Sequence, residues 1–522
     1  MMDELDEARL ELSRLEQTER ELLEHLSDIR CAAESQQSII LSSRPDNASP
    51  IGDLPAEILL RVLDLHLQNA LDPASDAYLI RKRDLAGVSQ HWKNIVLGCP
   101  KFWTSIDFTP KWLGPTLLTH LEKSGQCLVD IKVHSWGRNC AVDDDILIEM
   151  LDALVSHAHR WRSLVIRDDV SRSFLDRILE RLDQVTFPSL TCVSIIEWAR
   201  WLDREGLRWD DLFRERVDHY PRFLWSNGCP RLKCLELSDF IIPDDIQAPP
   251  SLTTLALELS HFSHSIFFQS SLSQQLTSLS LFRGLYSLPF ILNSIHFPLL
   301  EELVLRITGV GHFLAAIIAP KLRHIDYIPL IGEQPFSVVF VHLQSKFSTV
   351  QYISLELPIL DMDPPNAAQL VCMAFPNVLH AELSLDATLP FFKLRDGSRA
   401  VNYWGHVQTL TLKARTDSLP WRVPEYFLEW LNERMDRGFP KLVLRVLQIG
   451  AAISYRGTPL LSSDSLDDYC ILEVENVPVW RHWKWKMYVL LISSYTPTID
   501  SLYGMQRLIL LVSVNSRGRA AA

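Results

Sequence analysis

The chain has 522 residues, of which 47% are hydrophobic and 22% charged, and its formal charge is −13. That composition excludes a wholly disordered chain, and the acidic balance argues against sequence-independent nucleic-acid binding, which needs Lys and Arg to neutralise phosphates. Residues 1–50 hold 12 Asp/Glu and 5 Lys/Arg, a net of −7, so the rest of the chain carries only −6.

The length corresponds to about three or four domains, or to one extended repeat array. The nine cysteines run from Cys31 to Cys470 with no C-x-x-C spacing, so a zinc ribbon or a disulfide framework has no support. They read as thiols of an intracellular protein, in the cytoplasm and/or nucleus. The acidic start does not resemble a signal peptide. The longest apolar runs, Leu508–Val512 and Phe313–Ala319, fall far short of the roughly 18 residues of a spanning helix, so no membrane partner is expected.

In residues 1–34, Leu5, Ala8, Leu12, Leu15, Leu22, Leu26 and Ile29 follow a 3-4 heptad spacing, with Glu19 at one seam position. This predicts an amphipathic helix and a candidate coiled coil, hence a homodimer through the N-terminal helix. Alternatively, the helix docks on its own body or stays solvated. Residues 35–50 read as a Ser-rich linker broken by Pro45 and Pro50.

Residues 51–108 read as a small helical module. Asp53 suits an N-cap, Pro55 the first turn and Glu57 the helix dipole. Ile58, Leu59, Val62 and Leu63 then form an apolar stripe, and Leu85, Val88, Trp92, Ile95 and Val96 a second. Phe102-Trp103-Thr-Ser-Ile106 closes the module. The blocks Leu54-Pro55-x-Glu57-Ile58-Leu59-x-x-Val62-Leu63, Leu85-x-x-Val88-Ser89-x-x-Trp92-x-x-Ile95 and Pro100-x-x-Trp103-x-x-Ile106 together resemble an F-box. The resemblance implies a three-helix unit that docks on a Skp-type adaptor joined to a cullin scaffold. It also implies the contact residues Leu54, Pro55, Glu57, Ile58, Leu59, Leu63, Leu85, Val88 and Trp92. The 21 residues between Leu63 and Leu85 exceed the usual compact spacer and resemble those of fungal F-box proteins. The alternative is a self-contained three-helix core.

Residues 120–500 repeat the pattern L-x-x-L-x-L, often with Pro two residues ahead. First positions fall at 232, 252, 276, 300, 322, 350, 378 and 407, at steps of 20 to 29 residues. That is the period of leucine-rich repeats, in which stacked strands share one core. Trp161–Ile166 reads as an earlier unit, Leu128–Val133 as a weaker one, and Leu442, Leu444, Leu447 and Ile449 as a later one. Val142–His157 and Ser171–Gln184 read as outer helices. The fold class expected is therefore α/β: N-terminal helix, three-helix F-box-like module, then a leucine-rich-repeat solenoid or horseshoe. A β-sandwich or β-propeller is the competing fold. The turn position where an Asn would bridge repeats is Phe240, Ser260, Gly284, Thr308, Leu330, Pro358, Asp386 and Arg415 in turn; without an Asn ladder, curvature should be irregular. Residues 515–522 read as a tail.

Within each unit, positions 4 and 6 should point inward and positions 3, 5 and 7 outward. The 24 outward sites of eight units hold six carboxylates and two basic groups, net −4, a face suited to a neutral or basic protein partner. Phe282, His324 and Tyr352 are the candidate contact anchors, with Glu302, Asp326 and Glu382 beside them.

No P-loop, G-x-S-x-G, H-E-x-x-H or dinucleotide Gly pattern is present. Asp143-Asp144-Asp145 suits a helix start better than a metal site, and His91, His157 and His159 have no ligand partner at metal spacing. Trp480-Arg-His-Trp483-Lys-Trp485 reads as a strand edge in the core. No catalytic, cofactor or metal residues are expected. The chain reads as a non-catalytic receptor: the substrate-recognition subunit of a Skp-cullin-F-box-type ubiquitin ligase with an unknown protein substrate. The alternative is a non-degradative scaffold.

Overall fold

The structure is a computed structural model. It describes residues 14, 17–18, 20–21, 24–33, 35–36, 54–68, 76–112, 114–136, 144–167, 170–196, 221–224, 228–238, 240, 249–258, 270–282, 291–329, 339–356, 366–384, 388–395, 397–415, 424–449, 466 and 469–477. Most of the heptad seam, the N-cap candidate Asp53, the Trp480–Trp485 stretch and the 515–522 tail lie outside these. The chain divides into two compact units, Met1–Phe102 and Trp103–Ala522.

In the first unit, residues 24–33 are helical, and Leu26 and Ile29 are exposed there. Three further helices follow: α1 (Ala56–Gln68), α2 (Asp76–Gly87) and α3 (Gln90–Gly98). Proline has no N–H to leave unsatisfied at a helix start, and the Pro55 carbonyl accepts the first helical bonds, from Ile58 N and Leu59 N at 3.0 Å. The 21-residue spacer is largely helix, since α1 runs on to Gln68 and α2 begins at Asp76. The second apolar stripe is not one continuous helix. It breaks at Ser89, whose hydroxyl accepts from Trp92 N at 3.2 Å and caps α3. Among the described residues of this unit, Leu59, Leu63, Trp92, Val96 and Phe102 are the buried apolar ones. The Lys82 ammonium is buried too and donates to the Phe102 carbonyl at 3.2 Å.

In the second unit, fourteen strands form one sheet in sequence order, all parallel. They are β1 (Ser105–Phe108), β2 (Val129–Val133), β3 (Trp161–Ile166), β4 (Cys192–Ile195), β5 (Cys234–Ser238), β6 (Thr254–Glu258) and β7 (Ser278–Phe282). Then come β8 (Glu302–Arg306), β9 (His324–Tyr327), β10 (Tyr352–Leu355), β11 (His380–Ser384), β12 (Thr409–Arg415), β13 (Leu442–Ile449) and β14 (Cys470–Val477). Sandwiches and propellers are built from antiparallel strands, so both competing folds are excluded. Ser105–Phe108, grouped above with the 51–108 module, pairs with Val129–Val133 and opens this sheet.

The anchor columns explain the stack. At positions 1, 4 and 6 of the eight regular units, from Leu232, Leu235 and Leu237 through Val407, Leu410 and Leu412, no side chain is more than 2% exposed. One strand cannot bury that many apolar groups alone, but neighbouring repeats can. Prolines set the turn ahead of five of the strands. Leu190 N, Leu232 N, Leu252 N, Leu300 N and Leu322 N each donate to the carbonyl three residues earlier, at 3.1–3.4 Å. The Pro between them sits where a β-turn wants φ fixed near −65°.

Backbone hydrogen bonds set the pace from repeat to repeat. The Thr191 carbonyl accepts from both Lys233 N and Cys234 N, and the pattern recurs at Lys233, Thr253, Thr277, Glu301, Arg323, Gln351 and Leu379, all at 2.8–3.1 Å. Each step thus enters the sheet through one carbonyl shared by two amides. Of the turn positions an Asn would fill, Phe240 is buried and the Thr308 hydroxyl makes no hydrogen bond, so the backbone carries this stacking instead.

Two expectations about register are corrected. In the last predicted unit, Leu444 and Val446 pair with the inward Leu410 and Leu412, whereas Leu447 and Ile449 pair with Lys413 and Arg415. A one-residue slip moves a side chain to the opposite face, and here the anchor spacing is one residue shorter. At the other end Leu128 is exposed. Val129 is buried in its place, where the pairing of β2 with β3 shifts register.

The outer helices bury one stripe each, as Leu147, Met150, Leu151 and Leu154 do on α5 (Asp144–Val155, after α4 at Gly114–Lys123). Phe174, Leu175, Ile178, Leu179 and Leu182 do so on α6 (Arg172–Leu182). Near the C-terminal end Arg399 is 1% exposed. It donates to Glu429 Oε2 at 2.9 Å, to Glu433 Oε1 at 3.0 Å, and to the carbonyls of Phe392 and Tyr426. A buried guanidinium needs that many acceptors to offset its desolvation. No helix among the described residues is long and apolar enough to cross a membrane.

Candidate functional site

One face of the sheet carries the leucines and the other is open. Parallel strands lie about 4.8 Å apart, so side chains at the same position of successive strands stand shoulder to shoulder. At position 3, Glu302, His324, Tyr352 and His380 are paired in register along β8 to β11. At position 5, Asp326, Ser354, Glu382 and Thr411 do the same along β9 to β12.

Five of the six candidate residues of this face lie in those rows; Phe282, at the end of β7, pairs in register with Arg306 instead. His324 Nδ1 lies 3.4 Å from Glu302 Oε1, and Ser278 Oγ donates to Glu302 Oε2 at 3.0 Å. The His324 hydrogen bond is the main reason the Glu302 carboxyl sits below its usual range. The His324 ring meets the Tyr352 ring edge-on at 4.3 Å, and His380 lies on the other side of Tyr352 at 6.4 Å. The Tyr352 hydroxyl donates to Glu382 Oε2 at 2.7 Å, and Ser354 Oγ donates to Glu382 Oε1 at 3.3 Å. Lys413 closes this group with an ion pair to Glu382. Burial pushes the Tyr352 hydroxyl well above its ordinary value, and the neighbouring Glu382 charge adds to that. Burial works against ionisation of Glu382, but Lys413 and the three hydrogen bonds outweigh it and hold its carboxyl below the usual range. Arg306 joins the remaining two candidates: its guanidinium lies 5.6 Å from the Phe282 ring centre and 3.8 Å from Asp326 Oδ2.

This arrangement corrects the expected character of the face. Position 7 does not point freely outward: Ser238, Glu258, Arg306, Ile328 and Glu356 are buried. Part of the acidic character is matched within the face: Glu382 faces Lys413, Asp326 faces Arg306 and Glu302 faces the His324 ring. What remains is a half-buried patch centred on the Tyr352 and His324 rings, with the hydrogen-bonded carboxylates of Glu302 and Glu382 at its sides. Aromatic groups in such a frame suit a protein contact rather than bond-making chemistry. Position-by-position reading could list Arg306 and Lys413 but could not make them partners, since their contacts reach diagonally between rows.

In the first unit the nine candidate adaptor contacts divide by exposure. Leu59, Leu63 and Trp92 are buried; Leu54 and Leu85 are half-buried; Pro55, Glu57, Ile58 and Val88 are exposed. Ile58 is 52% and Val88 58% exposed. Val62, absent from the candidate set, is 46% exposed and lies one turn from Ile58 on the same face of α1; its i,i+4 spacing from Ile58 was the available clue.

No protein-family model matches the sequence, and no curated protein matches it. Among solved structures the chain is similar to the leucine-rich repeat-containing protein LegL7 from Legionella pneumophila. The identity is 15% over 66% of this chain and 83% of that one, with a TM-score of 0.25. A superposition that loose carries no argument, so the fold rests on the strand order and register above. A mixed α/β chain with such a parallel sheet fits a leucine-rich-repeat-like fold.

Proposed function

We propose that this chain is a protein-binding receptor: the substrate-recognition subunit of a Skp-cullin-F-box-type ubiquitin ligase. The first unit would dock the adaptor, and the open face of the sheet would hold a protein substrate. The observation that carries the reading is the apolar stripe of Ile58 and Val62 left exposed on α1, the same helix whose Leu59 and Leu63 are buried. A unit this small buries little surface of its own, and uncovered apolar residues in it call for a partner. The F-box resemblance supplies the kind of partner. The chain itself would make and break no bond; it would raise the effective concentration of substrate lysines near a recruited conjugating enzyme. It would act in the cytoplasm and/or nucleus.

The test is co-purification with a Skp-type adaptor. Ile58→Asp combined with Val62→Asp changes exposed residues and should leave the helical circular-dichroism signal intact. Adaptor binding should be lost; full retention would sink the reading. A second reading, a scaffold that pairs through its leader, draws on the exposure of Leu26 and Ile29, one turn apart on the N-terminal helix. Sedimentation velocity separates the two: a stable dimer that recruits no cullin favours the scaffold.

A further inference from the structure

A groove of about 480 Å3 runs along the edge of the sheet where β8 to β12 begin, and its lining includes Lys321, Arg323, Gln351, Asn377 and His406. It is distinct from the patch at His324 and Tyr352, because its side chains come from the turns ahead of the strands. These residues occupy equivalent places in successive turns: Lys321, Asn377 and His406 just before the first anchor, Arg323 and Gln351 just after it. Earlier in the array, Arg231 and Lys233 hold those same two places. All of them are exposed. Glu301 is the one carboxylate lining the groove. A chain of −13 overall therefore turns the Lys321 and Arg323 side chains to solvent at this edge, whereas Lys413 and Arg306 on its open face already face Glu382 and Asp326.

We infer that this edge is a second contact surface, which takes an extended peptide segment rich in Asp and Glu. Lys321 and Arg323 supply the charge complement. Arg is suited to gripping a carboxylate with two parallel N–H groups. The charged pair stands beside amides rather than more cations. Asn377 donates to the Ser348 carbonyl at 2.7 Å, which fixes its side chain, and Gln351 stands next to it in the lining. Side-chain amides satisfy peptide N–H and C=O groups, so the lining favours a polypeptide over a polyphosphate, which would call for a denser run of cations. The turns recur about every 4.8 Å, a spacing that an extended segment laid across the strands can follow.

The test uses the full chain and a fluorescein-labelled peptide of alternating Glu and Ser, read by anisotropy, with a Lys/Ser peptide as control. Saturable binding of the acidic peptide is expected, weakening as salt rises. Lys321→Glu with Arg323→Glu, both at exposed positions, should weaken it by about tenfold or more. Tyr352→Ala on the open face and Ile58→Asp in the first unit should leave it unchanged, so the outcome is independent of the ligase reading. Absence of binding, equal binding by the double variant, equal binding of the basic peptide, or tighter capture of an RNA oligonucleotide than of the acidic peptide would each overturn the inference.

Discussion

Glu382 shows how one side chain organises the open face. It accepts from Tyr352, Ser354 and Lys413 at once, so its removal leaves an ammonium and a phenol without their acceptor. Glu382→Gln should cost about 3 kcal/mol in urea unfolding at pH 7, the scale of breaking a buried ion pair. The pH dependence has a definite sign. A carboxyl held below its usual 4.5 contributes stability above that pH and loses it as pH falls through the folded value. The gap between the native chain and Glu382→Gln should therefore close on acidification below pH 4.5. Tyr352 acts at the other end. Its hydroxyl is held above its usual 10.0, so its contribution is complete below pH 10 and fades above it. The advantage of the native chain over Tyr352→Phe should shrink in alkali. A gap that is flat with pH in both variants would mean these groups titrate freely.

At the level of elements, the anchor columns were readable because three apolar positions at fixed spacing can be served only by a strand packed on its neighbours. Leu303, fully buried in β8, and Leu299, 37% exposed in the turn before it, make a clean pair. Leu303→Ala should cost about 2–5 kcal/mol by cavity formation, whereas Leu299→Ala should stay within about 0.5 kcal/mol. Equal losses in denaturant titrations would contradict the assignment of faces. What the pattern could not show is equally specific. The slip at Leu444 and Val446 follows from pairing with β12, which no local spacing reports. The break at Ser89 was hidden because the apolar residues on either side of it happen to keep helical spacing. At position 7, Arg306 meets Phe282 and Asp326 of the adjacent strands, which its own repeat does not reveal. The six open-face candidates were identifiable from their columns. Their cation partners were not, because Arg306 and Lys413 are recruited through register.

Across the molecule, the chain alternates between one constant part and one variable part. The constant part is the turn, the shared carbonyl and the short strand; the variable part is the outer segment, which absorbs steps of 20 to 29 residues. Stability in such an array is close to a sum over neighbours. The shared carbonyl has a consequence for editing the chain. Since β5 meets β6 as β6 meets β7, with Cys234 beside Thr254 and Thr254 beside Ser278, residues 254–277 can be excised as one whole pace. Thr253 would then join Ser278, restoring Leu-Thr-Ser-Leu-Ser-Leu with no seam, and the Lys233 carbonyl would receive the amides of Thr253 and Ser278. The shortened chain should fold with a cooperative urea transition, while removal of 254–265 alone, half a pace, should not. Length in this protein is thus a quantity that can be changed in whole units, like links taken from a watch strap.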